Sequence, residues 1–267
     1  MAKKEISVMN DKGLMTGHPK INRHIIDPYK AVLKDDRPLS ELNREWDAIC
    51  SKIHLDPSSE KVACFYAGSP LSSCMNIFLR DGEKNMCNPW AGNKLTKKQR
   101  EPMVSEYKVM AYWLDKGIQD SPPVPSGIPL YRGLWDKQAD KLAKTKLGAL
   151  LTGKGFQSFT MSKEHACYFT DDHLGHLGKF GVLLRFITDG KTKAICGADD
   201  EQELIFSHTT EWIVDEIEIV KGEVITPTPI KQDKWVGDGH RGYKLAVSGQ
   251  TGTKVRSYQI ITVVNAA

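Results

Sequence analysis

Two carboxylates two residues apart, Glu201 and Glu203, stand at the start of the apolar run Leu204–Phe206. In an extended chain, residues i and i+2 point to the same face, so the spacing predicts that both side chains project into one cleft. Paired carboxylates can stabilise a developing cation, act as a base, or bind a guanidinium or a sugar hydroxyl. On this segment alone, the commoner alternative is a strand start with solvated acidic residues.

A lone arginine followed by glycine, Arg132-Gly133, closes the apolar segment that begins at Ile128. Arginine makes forked hydrogen bonds with phosphate, and glycine lets a ligand approach the backbone closely. The pair is therefore a candidate anion site. The alternative is an arginine on an edge strand that forms a salt bridge.

Hydroxyl side chains alternate in the segment Phe156–Thr160, which carries Ser158 and Thr160. These two residues share one face of a strand and can orient a carboxylate by hydrogen bonds. Ser162 can cap the helix that follows. The alternative is a polar strand edge that leads into a capped helix.

Together these three segments resemble the three-part signature of the Arg-Ser-Glu mono-ADP-ribosyltransferases, a family that includes bacterial toxins and phage enzymes that modify host proteins. The segment Asn76–Gly82 is similar to the helix that often precedes the catalytic core in that family, so the resemblance covers about residues 60 to 267. Two departures stand out. Phe159 stands where the family usually has Thr or Ser, and Cys196–Asp200 lacks the aromatic residue that many relatives use against their substrate.

The resemblance implies a role for each matching residue. Glu203 would bind a ribose hydroxyl of NAD and stabilise the oxocarbenium-like species as nicotinamide leaves. Glu201 would receive and deprotonate the acceptor, and a glutamate at this position implies arginine acceptors. Arg132 would hold the NAD phosphates, Gly133 would offer backbone groups to the nicotinamide amide, and Ser158 would orient Glu203. The implied catalytic set is Glu203, Glu201, Ser158 and Arg132; the implied NAD-binding set is Arg132, Gly133, Ser158, Phe159, Thr160 and Glu203, with no metal.

The elements that must carry these residues fall into two halves. Apolar residues at helical spacing predict helices over residues 39–53, with Ser40 as N-cap, and over 58–66, 70–81 and 96–116. The proline-rich segment Ser121–Gly127 then interrupts the helical pattern. Beyond it we predict strands over residues 128–134, 156–160, 180–187, 203–206, 212–220 and 255–264, and helices over 136–151 and 162–169.

Helices followed by strands predict an α+β fold. With the resemblance, the expected architecture is a set of N-terminal helices followed by a mixed, mostly antiparallel two-sheet core. We expect residues 1–60 to form an arm and helix of unknown role, and 61–267 to form the ADP-ribosyltransferase catalytic domain. Its helical part would extend to about residue 120 and its sheet core would cover 128–267.

Composition is ordinary for a globular protein, with 40% hydrophobic and 26% charged residues and a net charge of +4. The six cysteines show no CxxC spacing, so we expect reduced structural thiols. The basic N-terminus lacks a following apolar segment of secretory length, and no later run has the length of a membrane span. We therefore expect a soluble, cytoplasmic protein without a signal peptide, acting in its own cell or in a target cell, and no membrane partner.

Three other patterns are better explained as loops and turns. Gly237–Gly242 matches GxGxxG but lacks a surrounding βαβ unit. Gly148–Gly155 imitates a P-loop without the Ser or Thr that would bind magnesium. His173 and His176 lie three residues apart in a glycine-containing segment, which is weak evidence for a metal site.

The sequence thus predicts a mono-ADP-ribosyltransferase that moves ADP-ribose from NAD to an acceptor, most simply a protein arginine, and releases nicotinamide. Two alternatives stay open: an NAD glycohydrolase on the same site, and an inactive NAD-binding or protein-binding module. A nucleic-acid acceptor is a further alternative, with only the mild positive charge in its favour.

Overall fold

The computed structural model describes residues 35, 37–68, 71–87, 94–134, 136–168, 170, 180–198, 201–227 and 251–266. Within them, four α-helices precede the first strand: α1 (Leu39–Cys50), α2 (Pro57–Gly68), α3 (Leu71–Asp81) and α4 (Lys97–Asp120). Two short helices follow among the strands, α5 (Asp136–Leu142) and α6 (Lys163–Tyr168). The strands are β1 (Pro129–Leu134), β2 (Leu150–Thr152), β3 (Gln157–Thr160), β4 (Phe180–Ile187), β5 (Ile195–Cys196), β6 (Glu203–Phe206), β7 (Glu211–Pro227) and β8 (Thr251–Asn265).

Helix α1 buries Leu42, Trp46 and Ile49, which recur at intervals of four and three residues and so form one apolar face. The helix begins after Pro38, whose extended backbone ends the preceding segment, and no side chain caps it. The predicted cap, Ser40, instead lies inside the first turn.

The described strands form one eight-stranded sheet in the order β2-β7-β8-β4-β1-β3-β6-β5. Its pairs are antiparallel except for β4 and β8, which run parallel. The predicted two-sheet core is not confirmed, because the register of β1 and β3 joins the two halves through the pair Tyr131 and Thr160. The mixed, mostly antiparallel character is as predicted.

An aromatic cluster fills the core beneath this join. Phe159, Phe186, Phe206 and Trp212 are each at most 1% exposed, and ring centroids lie 4.6 Å apart for Phe186 and Trp212 and 5.5 Å apart for Phe159 and Phe206. Tilted and edge-to-face contacts of this kind add specificity to apolar burial. The rings hold β3, β4, β6 and β7 in fixed positions.

The predicted helix over residues 136–151 is wrong in its second half. Helix α5 ends at Leu142, and the chain forms the edge strand β2 after a turn in which Gly148 has φ +75°. Glycine adopts that left-handed conformation without steric cost, so the turn stops the helix. The P-loop imitation spans this turn and leads into β3 instead of a helix.

One pair of cysteines contradicts the expectation of reduced thiols. Cys50 at the end of α1 and Cys196 in β5 form a disulfide, with their Cα atoms 6.1 Å apart. Cys64, Cys74, Cys87 and Cys167 are not disulfide-bonded. The two bonded residues are separated by 146 positions, so no local spacing pattern could reveal the bond.

Among the described residues, no single helix has the length and apolar character needed to cross a membrane. The bent pair Pro57–Gly68 and Ser72–Asp81 meets those criteria only when the two helices are taken together. Both helices pack into a hydrophobic core formed mainly by helical residues, to which they contribute Ala63, Tyr66, Cys74 and Met75.

Candidate active site

Three adjacent strands carry the three predicted motifs. Arg132 lies in β1, Ser158 in β3 and Glu203 at the start of β6, and these strands are neighbours in the order β1-β3-β6. Thr160 is paired directly with Glu203, so Ser158, two residues earlier in β3, lies on the same face as Glu203. The sheet therefore brings together residues that are up to 71 positions apart in the chain.

Glu203 is buried, at 7% exposure, and its carboxylate is held on two sides. The backbone N–H of Ala198 donates to Glu203 Oε2 at 3.0 Å, and the hydroxyl of Ser158 hydrogen-bonds the same carboxylate. The backbones of the two segments are also joined, because Gly197 N–H donates to Glu203 O at 2.7 Å and Glu203 N–H donates to Ala198 O at 3.1 Å. The carboxylate is therefore preorganised by fixed donors.

Burial raises the pKa of Glu203 above its ordinary value. The hydrogen bonds from Ser158 and Ala198 and the charge of Arg132 oppose this change, while Glu201 reinforces it. Burial also lowers the pKa of Arg132, against the opposing influence of Tyr66 and Glu203. Opposite charges thus share a poorly solvated cleft, where electrostatic interactions are stronger than in water.

Gly197 lies directly against this carboxylate. A Cβ atom at position 197 would lie 2.2 Å from Glu203 Oε2 and 2.7 Å from Glu203 Cδ. A side chain cannot be accommodated there without moving one of the two groups. Neither Gly197 nor Ala198 was predicted from the sequence, although a glycine shortly before two acidic residues is a usable signal of close approach.

Glu201 reaches the site in a different way from that predicted. Strand β6 begins at Glu203, and Gln202 has φ +48°, so the two glutamates do not share an extended segment. They nevertheless interact electrostatically, and the Thr160 hydroxyl donates to Glu201 O at 2.6 Å. The side chain of Glu201 is 28% exposed, so Glu201 is the glutamate more accessible to an incoming molecule.

His165 in α6 is a neighbour of Glu201 that the sequence analysis assigned no role. His165 Nε2 lies 3.8 Å from Glu201 Oε2, and its side chain is 14% exposed. This distance permits an ion pair when the imidazole is protonated. Ser162 caps the helix that carries His165, as predicted, since the Ser162 hydroxyl accepts a hydrogen bond from His165 N–H at 3.0 Å.

Arg132 and Gly133 lie at the predicted strand end, where both are partly buried. Arg132 Nη1 donates to the backbone oxygen of Ser158 at 3.1 Å, which directs the guanidinium across β3.

Nearby, the side chain of Asn76 both accepts from Phe156 N–H at 2.9 Å and donates to Tyr66 Oη at 2.8 Å. Helices α2 and α3 therefore position the start of β3.

Phe159 does not contact this face of the strand. Its side chain points into the aromatic core and is 1% exposed, on the side opposite Ser158 and Thr160. Alternation along β3 directs the Phe159 side chain away from the cleft, so the role of Phe159 in NAD binding stays a prediction that only its backbone could fulfil. Thr160 is 7% exposed and bonds the backbone around the glutamates.

Several predicted features lie outside the described residues: His173, His176, Asp199, Asp200 and the segment Gly237–Gly242. Within the described part of the chain, no group of three or more His, Cys, Asp or Glu side chains is arranged to hold a metal ion.

No family model and no curated protein matches this sequence. Solved structures do match. The Vis toxin, an ADP-ribosyltransferase from Vibrio splendidus, aligns over 88% of this chain and 90% of its own, with 15% identity and a TM-score of 0.55. Vis in complex with the M6 inhibitor gives the same coverage and identity with a TM-score of 0.56, and Vis in complex with agmatine gives 14% identity and a TM-score of 0.54.

The chain has the ADP-ribosyltransferase fold. The resemblance stated from the sequence is confirmed at this level, and the ADP-ribosyltransferase fold explains why the three motifs are carried by neighbouring strands. The similarity extends over most of both chains, so the helices and the sheet belong to one shared architecture. At this identity the comparison establishes the fold, and the chemistry must be argued from the cleft itself.

Proposed function

We propose that this protein is an NAD-dependent mono-ADP-ribosyltransferase that modifies arginine side chains of proteins. The observation that carries the proposal is the environment of Glu203: a buried carboxylate, bonded by Ser158 and Ala198 and coupled to both Arg132 and Glu201. A preorganised carboxylate in a poorly solvated cleft best stabilises a positive charge that develops during reaction.

Binding of NAD would use both sides of this cleft. The guanidinium of Arg132 is suited to forked hydrogen bonds with the pyrophosphate, and the backbone at Gly133 can be approached closely because the residue has no side chain. Glu203 can accept a hydrogen bond from a ribose hydroxyl. Each group is supplied by β1 or β6, so the ligand would lie across the join of the sheet.

The reaction breaks the bond between ribose C1 and the nicotinamide nitrogen, and the electron pair leaves with nicotinamide. The ribosyl cation that forms is stabilised by Glu203. A guanidinium nitrogen of the acceptor then bonds to C1, and Glu201 takes the proton that this nitrogen loses. Glu201 is suited to that role because its side chain is more exposed than that of Glu203 and lies at the side of the cleft nearer His165.

The arginine acceptor is supported by the residue type at position 201, since a carboxylate both attracts a guanidinium and accepts its proton. Vis has been crystallised with agmatine, a compound that carries a guanidinium group. This chain has a fold similar to that of Vis, and Glu201 lies at the accessible side of its cleft. We therefore propose a guanidinium group as the acceptor for this chain too.

The test is incubation of the purified protein with NAD labelled in its adenylate moiety, first with a cell lysate and then with agmatine as a defined acceptor. Label transfer and free nicotinamide are measured for wild type, Glu201→Gln and Glu203→Gln, with Glu211→Gln as a matched control because Glu211 is exposed at the start of β7. We expect wild type and Glu211→Gln to label protein and agmatine. Glu203→Gln should do neither reaction, and Glu201→Gln should release nicotinamide without labelling.

The outcomes separate the alternatives. Nicotinamide without label on any acceptor would replace the proposal by an NAD glycohydrolase, in which water takes the ribosyl cation. Label found in the nucleic-acid fraction alone would overturn the proposal that the acceptor is a protein. Intact NAD in every lysate would favour an inactive binding module.

A further inference from the structure

Gln202, the residue between the two glutamates, is held in an unusual conformation by a contact from outside the sheet. Its φ of +48° lies in the left-handed region, which is disfavoured for a residue with a long side chain. Gln202 is only 4% exposed, and its side-chain amide donates a hydrogen bond to Asn43 Oδ1 of α1. Surrounding structure must maintain such a conformation, and the Asn43 contact is one part of that structure.

A second connection joins the same two parts of the chain. The disulfide between Cys50 and Cys196 links the end of α1 to β5, and Cys196 immediately precedes Gly197 and Ala198, which bond Glu203. Helix α1 is therefore attached to the segment that carries the two glutamates at two points: at Cys196, which precedes them, and at Gln202, which lies between them.

A third connection lies just before α1. The carboxylate of Asp35 accepts a hydrogen bond from the Ser162 hydroxyl at 2.7 Å and from the backbone N–H of Lys163. These donors form the start of α6, the helix that carries His165 towards Glu201. A carboxylate at a helix N-terminus satisfies backbone donors that otherwise lack partners.

We propose that Asp35 and residues 37–50 form a positioning clamp for the acceptor side of the active site, with Asn43 as the residue that sets the orientation of Glu201. The proposal rests on the proposed transferase function and assigns a role to a segment that the sequence analysis separated from the catalytic domain. Asn43 acts through Gln202: its hydrogen bond holds the left-handed turn, and that turn directs Glu201 to the accessible side of the cleft.

The clamp has unequal effects on the two glutamates. Glu203 is also held by Ala198, Ser158 and its strand pairing with Thr160. Glu201 lies on the other side of Gln202, outside β6, so its orientation depends more on the turn. Loss of the Asn43 contact should therefore lower transfer to an acceptor more than it lowers nicotinamide release.

The activity test uses the full chain with NAD and agmatine. We expect Asn43→Ala to lower the kcat of transfer about tenfold, the factor associated with one well-formed hydrogen bond, while nicotinamide release in the absence of agmatine changes by less than about threefold. Asn43→Asp should restore transfer because its carboxylate still accepts from Gln202. Arg44→Ala, at the next and exposed position of α1, is the matched control and should behave as wild type.

Two further variants test whether Asn43 acts through Gln202. Gln202→Ala should lower transfer by itself, and adding Asn43→Ala to it should cause no further loss, since the two residues form one interaction. Additive losses would overturn the proposed mechanism. Equal losses of transfer and nicotinamide release in Asn43→Ala would also overturn it.

Amide hydrogen exchange separates failure of this inference from failure of the proposed function. In a peptide that covers residues 196–203, Asn43→Ala should exchange faster than wild type, and Asn43→Asp should not. Unchanged exchange would overturn the clamp whether or not the protein cleaves NAD. Faster exchange in a protein without any activity on NAD would support the clamp and reject the transferase.

Discussion

Replacing Gly197 by alanine should lower NAD cleavage about 100-fold and leave the fold intact. The new Cβ atom would lie 2.2 Å from Glu203 Oε2, whereas ordinary van der Waals contact begins at 3.4 Å, so the carboxylate or its loop must move by about 1.2 Å. A displacement of about 1 Å in a catalytic group typically costs a factor of about 100 in rate. The backbone itself tolerates alanine, because Gly197 is not among the glycines with positive φ.

The assay is release of nicotinamide at saturating NAD, followed by chromatography, with thermal unfolding measured on the same samples. Gly68→Ala is the matched control, since no heavy atom lies within 4 Å of a Cβ atom at the end of α2 and its φ is not positive. We expect the control to keep wild-type turnover. A Gly197→Ala protein that unfolds at the wild-type temperature and keeps turnover within about threefold would contradict this prediction, because the carboxylate would then tolerate the displacement.

Three further predictions concern stability and redox state. The raised pKa of Glu203 means that its contribution to stability is present below the ordinary value of 4.5 and is lost as pH rises through the folded-state pKa. Glu203→Gln should therefore raise the melting temperature at pH 7.5, and this gain should become smaller towards pH 5. A variant that melts at or below the wild-type temperature at pH 7.5 would contradict this prediction. Dithiothreitol reduces the Cys50–Cys196 disulfide to two thiols by giving it two electrons and two protons, and this should lower the ratio of transfer to nicotinamide release in wild type. Cys50→Ser should already show the lower ratio and should not respond to the reagent. A ratio that rises on reduction would contradict a role of the disulfide in positioning the acceptor side. Phe159→Ala should cost about 3–5 kcal/mol in urea unfolding, because it empties part of the aromatic core; a loss below about 1 kcal/mol would show that the core collapses around the site.

Local patterns predicted the elements whose residues carry their own signal. Helix α1 was visible because Leu42, Trp46 and Ile49 repeat at helical spacing and all lie on the buried face. The edge strand β2 was missed because a strand of three residues that pairs with one neighbour is too short to show an alternating pattern of apolar and polar residues. Its turn depends on the left-handed Gly148, which the sequence shows only as a glycine.

The residues of the candidate site divide in the same way. Arg132, Ser158 and Glu203 were singled out by residue type and given their roles by the family resemblance, and the sheet brings them together on neighbouring strands. The role of Phe159 in NAD binding stays a prediction, since membership of a motif does not show which face of a strand a side chain occupies, and this side chain lies in the core. The interpretation of Glu201 as part of an extended pair failed, since Gln202 turns the backbone between the two glutamates.

The α+β composition, the three motifs and their order follow from the sequence, because each depends on residues that are close together in the chain. Only the packing of the folded chain shows which groups meet: Asn43 with Gln202, Cys50 with Cys196, and Gly197 with the carboxylate of Glu203. The first two contacts join positions more than 140 residues apart, and they depend on how α1 packs on the sheet. The third depends on a backbone approach that leaves no room for a side chain, which no local periodicity records.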